Sequence, residues 1–376
     1  MKNPYRGLPD YAFWSRAVPR NPEALVAPLT TPEFSINATD AVATAGSCFA
    51  QHIARHLDRN GFSYLCAERS TAGLADPHGY DLFSARYGNI YTCRQLLQTF
   101  DRAYGLFDPI DDVWRREDGR YIDAFRPRLV EDGFANPDAV RQHRVPHFAA
   151  IRKVFEKCRV FIFTLGLTEA WVSKLDGAVY PLAPGVVGEG RGDGDYAFVN
   201  FKASQVSGDL SAFIDKLRQV NPNAKIILTV SPVPLVATYS GKHVLSANTY
   251  SKSVLRVAAQ EVADVYGDVM YFPSFEIITG PQARGSYYGE DLRTVTPEGV
   301  EAVMAVFSRH MMRETKDIGI ASSDAQVDPA LSDVQRGMTD TAVATAEKAV
   351  ADEQAEASLI ICDEEEIERS VLGNRE

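Results

Sequence analysis

A doubly wound α/β fold with a mainly parallel sheet is predicted by two observations. Four short apolar runs recur along the chain: AVATA (41–45), CRVFIFTL (158–165), AKIILTVS (224–231) and DVMYFPS (268–274). Each is continuous rather than alternating, the pattern of a strand buried on both faces. Segments with helical spacing lie between them, and strands alternating with helices require crossover connections and parallel pairing.

In chain order, residues 1–39 are rich in proline and aromatic residues without clear periodicity, and read as an ordered extension packed on the domain. The first strand, 41–45, stops at Gly46-Ser47, and helical spacing resumes over 49–60 and 92–104. A long excursion, 105–144, precedes the helical segment 145–157. The second strand ends in Gly166-Leu167-Thr168-Glu169, and a further excursion spans 174–200. Helical segments 210–220 and 251–266 flank the third strand, and 297–313 follows the fourth. The two excursions carry Gly, Pro, Asp and aromatic residues, as lids or walls around strand ends do. In such sheets ligands gather at the carboxyl ends of the strands, which directs attention to Ser47, Gly166, Thr168, Glu169, Ser231 and Ser274. The domain itself is placed at 40–316.

The chain of 376 residues has a net charge of −11 and is 45% hydrophobic, enough for a sizeable core. All of that charge belongs to residues 317–376, so the body is neutral and offers no electrostatic case for nucleic acid. The five cysteines are scattered without a CxxC pair, which suits neither a disulfide framework nor a zinc site. No metal or bound cofactor is expected. No apolar run reaches the ~18 residues of a membrane span, and the N-terminus has no signal-peptide core, so a cytoplasmic protein is the expectation. The tail, 317–376, lacks aromatic residues and reads as disordered or partly helical. Its end, SLIICDEEEIERSVLG, sets a short apolar run before four consecutive acids. A solvated tail is expected there, with docking to a protein partner as the alternative.

Two readings of Ser47 compete. A glycine before it permits a tight strand-to-helix turn, and the helix N-terminus favours developing negative charge, which suits a nucleophile. Ser47 can equally be a helix cap. Cys48 is a second nucleophile candidate, on the same helical face as His52, although the residue after such a nucleophile usually points into the core. His52 and His56 lie four apart without acidic or cysteine partners, and read as a packed or solvated face rather than a metal site.

GSCFA at 46–50 is similar to the signature of the GSCFA family, within the SGNH (GDSL-like) hydrolase superfamily. The resemblance continues through FSARYGNIYT (83–92), FTLGLTEAW (163–171), TVSPVP (229–234), NTYSKSVLR (248–256) and YFPSFEI (271–277), in the family's order. It implies a three-layer αβα sandwich of SGNH or flavodoxin-like type, with Ser47 as nucleophile. It also implies an oxyanion hole from the Ser47 N–H, Gly88 with Asn89 beside it, and a Gly-x-Asn block that falls here on Gly166 and Thr168. Glu169 is a substrate-binding candidate beside that block.

The late Asp-x-x-His that usually supplies the base reads Asp291-Leu292-Arg293-Thr294, so the histidine is missing. His243, on the loop that leaves the third strand, is the candidate for a relocated base, with a binding or structural role as its alternative. Asp291 would orient it or bind substrate, and Arg293 would pair with a carboxylate or phosphate instead. Asn248, Ser251 and Lys252 match the family pattern and also suit a helix cap.

The resemblance thus implies a serine esterase or O-acyltransferase acting on an acylated carbohydrate or small ester. The alternative is a non-catalytic carbohydrate-binding or scaffold protein on the same frame.

Overall fold

The computed structural model describes residues 3–19, 26–29, 31–69, 80–313, 360 and 362–372. His78, and most of the tail, lie outside the described residues.

The central sheet comprises β2 (Val42–Gly46), β5 (Val160–Leu165), β9 (Lys225–Val230) and β10 (Val269–Tyr271), all parallel and adjacent in that order. A single-residue parallel bridge from Val42 to Tyr64 adds a rudimentary strand on the free side of β2. The chain therefore departs from β2 in both directions, which places the topological switch point at its carboxyl end.

Side chains alternate between two cores. Phe161, Phe163, Leu165, Ile226 and Leu228 point to one face, packed by α3 (Cys93–Ala103), α4 (Pro137–Lys157), α5 (Ala203–Val220) and α6 (Val244–Val265). Val42, Val160, Ile162, Ile227 and Met270 point to the other. That face is covered by α2 (Phe49–Arg59), α7 (Ser274–Thr279) and α8 (Pro297–Met311). Both faces are buried, as the unbroken apolar runs predict, and the result is a three-layer α/β sandwich.

Several helices begin earlier than their spacing suggests. The segment read as helical from 145 belongs to α4, which starts at Pro137, runs through Pro146 and is capped by Asn136, whose side chain accepts from the Ala139 N–H at 2.8 Å. The excursions form small sheets: a hairpin of β3 (Val113–Arg115) and β4 (Tyr121–Asp123), and an antiparallel trio of β6 (Glu169–Ser173), β7 (Val179–Tyr180) and β8 (Tyr196–Asn200). Buried Arg144 pins the hairpin region to α4 through Asp112 (2.7 Å) and Asp123 (3.1 Å).

At the margins, β1 (Ile36–Asn37) pairs in parallel with β11 (Met312–Arg313), and Phe34 packs on the adjoining core. The tail is not uniformly solvated. Its last described part forms α9 (Glu365–Leu372), and Cys362, Asp363 and Glu364 before it are buried against the domain. The expectation of a solvated end is corrected there, because Arg128, Arg293 and Asn89 supply partners for its acids.

Candidate functional site

Gly46 shapes the site. Its φ of +135° is strained for any residue with a side chain, and a Cβ would collide with the Thr164 backbone of β5. From there the chain turns straight into α2. Ser47 is 3% exposed, and its Oγ makes no hydrogen bond with any described group. It therefore does not cap α2.

Cys48 follows with its thiol against Cys362. The Cys362 thiol beside it, together with burial, raises its pKa well above the ordinary thiol value. A thiol held protonated in this way is a poor nucleophile. The His52 ring packs against Phe49 in a tilted arrangement, with ring centroids 5.4 Å apart.

The donors predicted around Ser47 are arranged differently. The Ser47 N–H donates to Thr164 O at 3.1 Å, prolonging the β2–β5 ladder, so it is committed to the sheet. The Thr168 hydroxyl donates its single proton to Asn200 Oδ1 at 2.7 Å, and the Thr168 N–H donates to Ser251 Oγ at 3.1 Å. Asn89 is the amide that faces a ligand-like group. Gln51 Nε2 donates to its Oδ1 at 3.4 Å, and its Nδ2 donates to the Asp363 carboxylate at 3.0 Å. The Asn89 backbone N–H donates to the same carboxylate. Gly88, at φ +70°, makes the turn immediately before it.

Gly166 packs directly on Ser47. A Cβ on it would lie 3.2 Å from both the Ser47 Cβ and the Tyr91 ring. Its carbonyl accepts from Lys252 Nζ at 2.8 Å. Lys252 is 1% exposed, and burial draws its pKa down to about 8. Lysine 252 escapes a reading by residue type, because α6 begins at Val244 and position 252 is no cap. The legible signal is its register with Leu255, Ala259 and Val262, which places a lysine on the buried stripe of α6.

His243 and Asp291 do not meet Ser47 in hydrogen-bonded contact. The His243 side chain is exposed, and its Nδ1 accepts from the Leu245 N–H at 3.2 Å, capping α6. Asp291 accepts from the Arg293 and Thr294 N–H groups and from the Thr294 hydroxyl, at 3.0, 2.9 and 2.6 Å. It stabilises its own turn, and the threonine in the place of the missing histidine is its partner. Arg293 does reach the site, lying 3.6 Å from the Glu364 carboxylate and donating to Pro234 O at 3.2 Å. Glu169 accepts from the Thr238 hydroxyl at 2.7 Å and fastens the loop after β9.

An apolar cavity of about 250 Å³ opens at Glu169, lined by Leu167, Trp171, Leu182, Phe198 and Leu235, with Glu364 and Ile367 in its wall. Its volume and lining suit a short acyl chain.

Fold and site together define a parallel α/β sandwich that buries a serine at the carboxyl end of a central strand, at the topological switch point. The chain belongs to the GSCFA family, whose model matches residues 41–307. No curated protein matches it. Among the described residues no helix is long and apolar enough to cross a membrane.

Proposed function

We propose that the protein is an SGNH-like serine esterase or O-acyltransferase acting on an acylated carbohydrate or other small ester, with Ser47 as nucleophile. The observation that carries this reading is the unpartnered, buried Ser47 Oγ on a glycine-enforced strand-to-helix turn. An unpaired buried hydroxyl costs on the order of 1 kcal/mol or more, and its retention at the carboxyl end of a central strand fits a group reserved for reaction. Asn89, through its side-chain amide and N–H, is the oxyanion donor in this reading, and the cavity beside Leu167 receives the acyl group. Lys252, with a pKa drawn to about 8 and its amine anchored on the residue packed against Ser47, is the proton acceptor. The carbohydrate assignment rests on superfamily analogy.

One observation favours the non-catalytic alternative: no base is hydrogen-bonded to Ser47 Oγ among the described residues. A fluorophosphonate probe separates the readings. Labelling of the protein that disappears in Ser47→Ala is expected. Absence of labelling, together with no turnover of short-chain acyl esters even when Asp363 and Glu364 are replaced by alanine, would remove the enzyme reading.

A further inference from the structure

The groups around Ser47 are matched in charge and geometry by the chain's own C-terminal segment. The Asp363 carboxylate takes both Asn89 donors, and the Asp363 N–H donates to the Tyr91 hydroxyl at 3.0 Å. Arg128 donates to Cys362 O at 3.0 Å and lies 3.4 Å from the Glu366 carboxylate. Arg293 faces Glu364, whose carboxylate also accepts from the Val236 N–H. Three of four consecutive acids thus meet two arginines and an amide, with Lys252 close enough to Glu364 to feel its charge.

This seat has the marks of a reversible one. α9 contributes no buried side chain. Burial raises the pKa of both Asp363 and Glu364, so the seat holds their charged forms less favourably than water does. The part-exposed Arg128–Glu366 pair weakens as salt screens it.

We propose that the groove beside Ser47 is a receptor for acidic peptide, that residues 362–366 of this chain are its occupant, and that the segment must leave before substrate reaches Ser47. The gating half of the proposal rests on Ser47 being the reactive group; the receptor half does not.

Three measurements on the full chain test it. In the wild type, diamide should oxidise the adjacent Cys48 and Cys362 thiols to a disulfide, the two protons and two electrons passing to diamide, which is reduced to its hydrazine. Mass spectrometry would show the bridged peptide, reversed by dithiothreitol. A fluorescein-labelled peptide of residues 360–372 should bind the Asp363→Ala/Glu364→Ala variant, and at least ten-fold more weakly when its acids are changed to amides. Fluorophosphonate labelling of Ser47 should rise at least ten-fold in that variant, and stop in the cross-linked wild type until reduction. No cross-link, or peptide binding indifferent to charge, overturns the receptor. Labelling unaffected by the cross-link overturns the gate. A cross-link and charge-dependent peptide binding, with no labelling of any form, support the receptor and overturn the catalytic reading instead.

Discussion

A lysine drawn to a pKa of about 8 is substantially neutral just above physiological pH, where an ordinary lysine is almost wholly charged. If Lys252 accepts the Ser47 proton, the labelling rate rises with pH through about 8 and levels off above it. Lys252→Arg keeps a donor for Gly166 O but stays protonated, so it should lower the rate by about 100-fold or more. An unaltered pH profile in that variant would assign Lys252 a purely structural role. At this scale the sequence marks positions better than duties. Gly46 and Ser47 announce themselves through spacing, because only glycine fits against the Thr164 backbone. The duties of Thr168 and His243 are invisible in it, since both are decided by distant or local partners, Asn200 and the Leu245 N–H.

Elements were legible where burial alone determines them. The four central strands follow from unbroken apolar runs, because both faces of the sheet are covered. Helix starts were not legible where a proline interrupts the pattern. α4 runs through Pro146 because tertiary contacts of Arg144 and His147 on either side outweigh the lost backbone bond of about 3 kcal/mol. Its true start is the Asn136 cap, and Asn136→Ala should destabilise the protein by about 1 kcal/mol in urea unfolding. A change below ~0.3 kcal/mol would mean that the Pro137 start and the Asp112–Arg144 pair fix the helix end without it. The docking of residues 362–366 was illegible for another reason. An acidic run reads as solvated until the arginines that receive it, Arg128 and Arg293, are known to converge in space.

For the whole molecule, charge gives a pH dependence. Burial and the neighbouring Arg55 and Arg59 push His52 down to about 3, so the folded protein keeps this ring neutral while the unfolded chain protonates it near 6.5. Below 6.5 the unfolded state therefore binds more protons, and stability falls as pH falls, by up to about 1.4 kcal/mol per pH unit from this group until about pH 3. His52→Gln should flatten the decline between pH 6 and 4 in denaturant titrations; an unchanged slope would remove His52 as its source. A second whole-molecule consequence follows from the parallel pairing of Ile36–Asn37 with Met312–Arg313, both outside the 41–307 family match. That pair ties the two flanks of the family body side by side at one edge of the sandwich. A fragment cut at 41 and 307 would therefore discard this clasp and leave both flanks of the sandwich untied.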